Sequence, residues 1–185
     1  MALIDYDPPQ RFVAGTVGPP GQRQFFLQAS GDGRITSVSL EKAQVSILAD
    51  RVNDLLDDYA GGDATEQAAA AHADVAPLDT PIEEEFRVGT MGLSWDPNRQ
   101  RVIIECHAAG DAFDDPDELA ESAERDPATD PTQLVLRISL PPAAARAFAR
   151  RSAKVVRAGR PPCPFCAGPL DPAGHICPRA NGYRR

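Results

Sequence analysis

Long apolar runs and secretion signals are both missing from this sequence. No stretch of the 185 residues approaches the roughly 18 consecutive apolar residues that a membrane-spanning helix needs. The first ten residues, MALIDYDPPQ, lack the basic segment and the apolar segment of a secretory signal peptide. We therefore expect a cytoplasmic protein that does not contact a membrane. Its length suits one ordinary domain with a small appendage.

Motifs of the common hydrolases and nucleotide-binding enzymes are also missing. The sequence has no nucleophile elbow, no Walker motif and no HExxH. Two G-x-x-G segments, at 15–18 and 89–92, open no helix, as a phosphate-binding loop would, so we expect their glycines at bulges or close strand crossings. Glu105 and His107 would share the exposed face of one strand and are the candidates for acid–base chemistry. Catalysis on that face is an alternative hypothesis.

Acidic residues are almost absent from the C-terminal end. From Pro142 onward there is one acid, Asp171, against nine basic residues, whereas the first 141 residues hold 26 acids and ten basic residues. Residues 1–141 therefore carry a formal charge of −16, and residues 142–185 carry +8. A basic end of this kind can bind nucleic acid, or it can fold back onto the acidic residues that precede it.

Cysteine and histidine are rare, and the few present are concentrated near the C-terminus. Three of the four cysteines and one of the three histidines form the pattern C-x2-C-x8-H-x-C: Cys163, Cys166, His175 and Cys177. Thiolates and imidazole fill the four tetrahedral positions of Zn²⁺, which predicts a closed, structural zinc site. A segment this short usually needs a metal to fold, so zinc would form the core of the tail.

Two other interpretations of these cysteines remain open. The CPFC segment is similar to the active site of glutaredoxins, but a redox dithiol needs a helix after its first cysteine, and Pro169 and Pro172 oppose one. If His175 points away, three thiolates and a water would leave an open zinc position that could support catalysis. The lone Cys106 is predicted to be a buried strand residue.

The chain also contains an internal repeat. The pattern F-x-x-G-T-x-G begins at Phe12 and again at Phe86, and further short matches follow in the same order. Both halves read as β-β-β-α, which predicts an α+β fold with a mainly antiparallel sheet, two helices and a zinc-binding tail. The predicted strands lie near 10–17, 23–30 and 34–40, with a helix near 41–59, and near 84–95, 100–108 and 132–140, with a helix near 142–158.

These elements divide the chain into four segments. They are a first repeat (1–59), an acidic linker (60–80), a second repeat (81–158) with an acidic insertion at 109–131, and a zinc-knuckle tail (159–185). The linker and the insertion are small, acidic and poor in aromatic residues. Neither can bury enough area to offset the entropy of ordering, so we expect both to lack a packed core.

A basic surface is the candidate for binding a partner. The helix near 142–158 buries a thin apolar stripe and should present a wide basic face next to the tail. The candidate contacts are Arg150, Arg151, Lys154, Arg157, Arg179, Tyr183, Arg184 and Arg185. We expect a non-enzymatic adaptor that binds a protein partner, with nucleic-acid binding through the same surface as the alternative. The sequence does not indicate the oligomeric state.

Three segments resemble an uncharacterised family of actinobacterial proteins. They are the opening DPPQRFVAGTVG, the central EEEFRVGTMGLSWD and the tail PPCPFC with GHICPRANGYR. The likeness covers nearly the whole chain apart from the two acidic segments, and the tail is its most specific part. The family is a domain of unknown function, so the resemblance implies no activity and assigns no functional residue.

Overall fold

The chain folds into one mixed β-sheet with helices packed against one of its faces. A computed structural model describes residues 2–110, 134–159, 163–166, 170, 177 and 179. The strands are β1 (Ala2–Tyr6), β2 (Arg11–Val17), β3 (Gln24–Gly31), β4 (Arg34–Leu40), β5 (Glu84–Asp96), β6 (Arg101–Ala108) and β7 (Leu134–Leu140). The helices are α1 (Lys42–Tyr59), α2 (Glu66–Ala70) and α3 (Pro142–Arg157), with a 3-10 turn at Gly61–Ala64.

The strand order is β1-β7-β6-β5-β4-β3-β2. Each half forms an antiparallel meander followed by its helix, β2-β3-β4-α1 and then β5-β6-β7-α3. Two parallel pairs, β4 with β5 and β1 with β7, complete the sheet. The predicted α+β class and the mainly antiparallel sheet are confirmed. The shared β-β-β-α order is observed, whereas the origin of the halves by duplication and the segment boundaries stay predictions.

The two long helices form where the sequence pattern places them. In α1 the apolar spacing buries Val45, Leu48, Val52 and Leu56, and the backbone N–H at Glu41 donates to the Gln44 side chain at 2.8 Å. In α3 the two prolines at 141 and 142 begin the helix, where a missing N–H costs least.

The main hydrophobic core joins the two halves, and we call residues 1–158, which precede the tail, the body. It contains the inward-facing residues of every strand together with the buried stripes of α1 and α3. The rings of Phe12 and Phe148 stack 4.5 Å apart between β2 and α3. Cys106 is fully buried in this core, and the flanking Glu105 and His107 face the other side of the sheet. The halves therefore share one interior.

Strand β5 belongs to both halves and changes partner along its length. Its first residues pair with β4, and its register with β6 shifts between Val88 and Thr90. A Cβ atom on Gly89, at this bulge, would lie 2.8 Å from the Ala109 Cα. A Cβ on Gly15, in the equivalent strand of the first half, would lie 2.5 Å from Leu78. Gly89 lies at a bulge, as expected from the sequence, whereas Gly15 leaves room for the Leu78 side chain of the strap.

Two parts of the structure differ from the sequence-based expectation. Strand β1 is absent from the prediction because five residues carry little periodicity, and its stability comes from pairing with distant β7. The linker 60–80 is ordered: it contains the 3-10 turn, α2 and an extended strap at residues 72–79 that runs beside β2. Of the insertion predicted at 109–131, residues 111–131 lie outside the described residues.

Candidate metal centre

Three cysteine sulfurs converge near the C-terminus. The Sγ atoms of Cys163, Cys166 and Cys177 all lie within 4.8 Å of one another. Cys163 and Cys177 are buried, and Cys166 is half-buried. None of the three forms a disulfide. The tail thus brings together two cysteines of the CPFC segment and a third that is eleven residues further on.

The distance between the sulfurs fits a shared metal ion. Cys163 and Cys177 have their Sγ atoms 3.8 Å apart. Thiolates at about 2.3 Å from a tetrahedral Zn²⁺ lie about 3.8 Å from each other. A disulfide would need about 2.0 Å, so these two sulfurs are neighbours without a covalent bond. Three thiolates in this arrangement could hold a metal ion.

The tight turn at residues 163–166 directs backbone N–H groups toward the Cys163 sulfur. The backbone N–H groups of Cys166 and Phe165 donate to the Cys163 sulfur and lower the pKa of this thiol to about 6. The thiolate is the form that binds a metal. A low pKa would serve a redox dithiol equally well, and the redox alternative does not account for the third sulfur 3.8 Å away.

The fourth predicted ligand, His175, lies outside the described residues, and so do Tyr183, Arg184 and Arg185. Arg179 is described: its Nη1 donates to the Phe165 carbonyl at 3.1 Å and so ties the chain after Cys177 to the 163–166 turn. The Phe165 ring is 63% exposed beside this contact. An aromatic side chain and an arginine therefore lie together at the surface of the sulfur cluster.

The predicted basic face of α3 divides into exposed and internal residues. Lys154 and Arg157 are exposed, and Arg150 is 51% exposed and pairs with Glu66 at 3.0 Å. Arg151 is only 13% exposed and binds the strap, so its place in a partner surface stays a prediction. Arg146 likewise turns inward to Asn53 and Asp57. Much of the basic charge of α3 therefore meets acidic and polar groups of the body.

Arg11 and Arg151 converge on Asp74 in a cluster that we call the clamp, together with Asp79. Arg11 pairs with Asp74 at 2.7 Å and Asp79 at 2.9 Å, and Arg151 reaches Asp74 at 2.8 Å. Arg151 also donates to the Ala14 carbonyl of β2 at 2.9 Å. The clamp therefore fastens the strap to the edge of the sheet.

The clamp changes the titration of its members. The hydrogen bond from Arg11 is the largest cause of the lowered pKa of Asp74, and the bond to Asp74 is the main cause of the raised pKa of Arg11. The pKa of Arg151 is lowered, chiefly because burial removes water from its guanidinium. Asp74 is thus held as a carboxylate between two cations.

The candidate acid–base residues are placed as the strand pattern predicts. Glu105 accepts a hydrogen bond from Arg137 of β7 at 2.8 Å, and His107 is half-buried two residues further on. Burial raises the pKa of the Cys106 thiol to about 12, so that cysteine is not a ready nucleophile. Catalysis on this face stays a hypothesis.

A family model described as "Protein of unknown function (DUF3090)" matches residues 4–177. The chain belongs to this family. Neither a curated protein nor a solved structure matches it. The DUF3090 match runs from strand β1 to Cys177, so it includes the sheet, the strap and all four predicted metal ligands. The family brings no assigned activity.

Within the described part of this DUF3090 chain, no helix is long and apolar enough to cross a membrane. The three cysteines could be identified from the sequence because their spacing is typical of a metal site. Sequence reasoning missed the clamp, since Arg11, Asp74 and Arg151 are far apart in the sequence and single arginines and aspartates carry no pattern. Only the fold of the strap places them together.

Proposed function

We propose that this chain is a zinc-binding adaptor protein, whose tail binds a protein partner. Zn²⁺ would be held by Cys163, Cys166, His175 and Cys177 as a closed structural site. The observation that carries the proposal is the convergence of three sulfurs with a 3.8 Å separation between two of them. A full set of four protein ligands leaves no position for a substrate, which favours a structural role over a catalytic one.

The metal assignment is tested by the zinc content of purified protein. Inductively coupled plasma mass spectrometry should find about one zinc per chain, and Cys163→Ser should lose it because a tetrahedral site needs each thiolate. Cys106→Ser is the matched control, since Cys106 lies buried in the body and should leave the zinc content unchanged. Wild-type protein without zinc, or full zinc in Cys163→Ser, would contradict the assignment.

His175 needs a separate test because the fourth ligand decides between a closed and an open site. With Co²⁺ in place of zinc, the visible spectrum reports the number of thiolates and the coordination geometry. We expect a tetrahedral spectrum with three thiolates that changes in His175→Ala. An unchanged spectrum in that variant would assign the fourth position to water and revive the alternative of an enzyme with an open zinc site.

The partner surface is proposed around Phe165 and Arg179, with Lys154 and Arg157 nearby in sequence. Support comes from the 63% exposed Phe165 ring and from the Arg179 contact beside it, because aromatic and arginine residues dominate protein interfaces. Phe165→Ala removes the ring and keeps every proposed ligand. Val75→Ala is the matched control, since Val75 is an 86% exposed apolar residue on the strap.

Cross-linking and quantitative mass spectrometry in cells can compare the two variants. The proposal expects one set of partners that is lost in Phe165→Ala and on deletion of residues 161–185, and kept in Val75→Ala. If deletion of the tail leaves the same partners bound, the adaptor proposal fails. Zinc content measured on the same Phe165→Ala protein separates loss of contact from loss of metal.

Nucleic-acid binding is the alternative proposal for the same basic end. Its support is the exposure of Lys154 and Arg157 at the end of α3. Binding in a gel shift should weaken steeply with salt, by a log–log slope of several units for several phosphate contacts. No shift at low salt would reject it.

We further propose that the protein works in a reducing compartment such as the cytoplasm. All four cysteines of the chain are free thiols, and thiolates must stay reduced to hold zinc. Cell fractionation with thiol labelling would test this location. Recovery of the chain from an oxidising compartment with its tail cysteines paired would count against it.

A further inference from the structure

A groove of about 320 Å³ lies between the β1–β2 turn, the start of α3 and the strap. Its lining combines apolar and charged residues from three separate segments of the body. None of these residues belongs to the cysteine tail. The volume is near the lower end of small-molecule sites, which run from roughly 300 to 1,000 Å³.

The floor and walls of the groove are apolar. Phe12, Leu140 and Phe148 are buried beneath it, and Pro8 and Pro9 line it from the β1–β2 turn. On α3, small residues at positions 144 and 147 occupy the side that faces the groove. Alanine there leaves open the space that a larger side chain would fill. The groove can thus cover the hydrocarbon part of a ligand.

Two guanidinium groups provide the charged part of the lining. Arg11 and Arg151 are 17% and 13% exposed, and both line the groove with Asp74 between them. Arg151 donates to the Ala14, Asp74 and Ala76 carbonyls and to the Asp74 carboxylate. These bonds use four of the five N–H groups of a guanidinium, so one Nη2 hydrogen is left among the described contacts.

Arg11 also has one N–H hydrogen that no described acceptor takes. Its Nε and Nη2 atoms bind Asp74 and the carbonyls at residues 76 and 77, and its Nη1 makes one described bond, to Asp79. A second Nη1 hydrogen therefore remains for another acceptor. Asp74 and Asp79 together balance the two positive charges, so what the groove offers an anion is one N–H donor on each guanidinium that no described acceptor takes.

We propose that this groove binds a small organic acid, with its apolar body over Phe12 and Phe148 and its anionic group toward Arg11 and Arg151. A carboxylate and a phosphate share the planar or multidentate acceptor geometry that guanidinium recognises. An ammonium group could not accept a hydrogen bond from either of these N–H donors. The described lining residues all belong to the body, and none is a proposed zinc ligand.

Probe binding followed by amide chemical shifts tests the proposal on the full chain. The probes are hexanoate, hexyl phosphate and the neutral hexanol, which share one apolar chain. We expect saturable shifts at Phe12, Ala147 and Arg151 with at least one of the two anions, and at least tenfold weaker binding of hexanol. Comparison of the two anions decides between a carboxylate and a phosphate ligand.

Ala147→Leu should fill the groove and remove the binding while leaving the clamp intact. Leucine is a good helix former, so α3 should persist. Ala144→Leu is a second blocking variant on the same side, and Ala153→Leu is the matched control outside the lining. The proposal is overturned if neither anion gives saturable shifts, if hexanol binds as tightly as both anions, or if both folded blocking variants bind like the control.

Discussion

Neighbouring residues in α3 have opposite roles despite identical side chains. Arg150 is half-exposed and makes a surface ion pair, whereas Arg151 is 13% exposed and holds β2 and the strap through four hydrogen bonds. The sequence shows two adjacent arginines in a basic helix and cannot distinguish them. The direction of each side chain around the helix axis decides which one meets solvent.

Arg151→Ala should therefore destabilise the body far more than Arg150→Ala. Loss of Arg151 removes the side-chain donor to the Ala14 and Asp74 carbonyls and one of the two cations bound to the Asp74 carboxylate, at a cost of about 2 kcal/mol. Loss of the exposed pair at Arg150 should cost less than about 0.5 kcal/mol. Urea unfolding of the two variants measures the difference. Equal midpoints would show that the clamp does not stabilise the fold.

Asp74 should make the stability depend on pH on the acid side. Its pKa is lowered from the ordinary value of 3.8, mainly by the hydrogen bond from Arg11, so the folded state favours the carboxylate. This contribution is complete well above pH 3.8 and is lost as the pH falls through the folded pKa. The stability gap between wild type and Asp74→Asn should thus shrink as the pH falls from 6 toward 3.

Urea midpoints across that pH range measure the gap. Asp54→Asn serves as the control at pH 6, since that carboxylate is 66% exposed and lies 3.8 Å from Arg51. It should change the midpoint little. A gap between wild type and Asp74→Asn that is constant from pH 6 to pH 3 would contradict the assigned role.

Among the strands, β5 is the one at which the two halves meet, and its two partners pair with successive parts of its length. Its bulge at Gly89 lets the first residues follow β4 and the rest follow β6. The Ala109 N–H also donates to the Arg87 carbonyl at 2.7 Å, which brings the backbone after β6 against this point. A side chain at residue 89 would have to displace backbone atoms.

Gly89→Ala should for this reason cost about 1–3 kcal/mol, the usual range for overpacking. The new Cβ would lie 2.8 Å from the Ala109 Cα, and the backbone there cannot swing aside as a long side chain would. Gly92→Ala, in the same strand, is the control because its Cβ would lie at an ordinary 3.5 Å from Glu105 Oε2. Thermal unfolding compares the two, and a similar Tm would refute the packing argument.

The regular elements could be predicted because their periodicity is local. Alternation in β7 and the apolar face of α1 gave bounds within a few residues of those observed. The strap could not be predicted, because its order depends on Arg11, Arg151 and a buried Leu78 rather than on its own composition. Strand β1 is a similar case, since its partner lies at the far end of the body.

At the scale of the whole molecule, body and tail should respond differently to metal removal. The body has an apolar core drawn from both halves, whereas we expect the tail to depend on its proposed metal. Chelation should shift the amide signals of Cys163 and Cys166 and leave those of β2 to β7 in place. Broad loss of signals from the sheet after chelation would mean that the metal supports the entire fold.

The metal ligands illustrate the same limit of sequence reasoning. Cys163, Cys166 and Cys177 could be grouped from spacing alone, because three cysteines at this spacing are typical of a metal site. The internal role of Arg151 could not, because it depends on a contact with residues more than 70 positions away. A site made of rare residues such as cysteine can be predicted from the sequence. Ion pairs between common residues can be identified only once the fold is known.

The pairing of β1 with β7 has a consequence for synthesis on the ribosome. The register Ala2↔Leu134 to Tyr6↔Ile138 means that the first strand to emerge has no partner until the last strand of the sheet is made. The β2–β4 meander can form early from neighbouring residues, and β1 must wait beside it. The sheet therefore cannot be completed until β7 has been synthesised and can pair with β1.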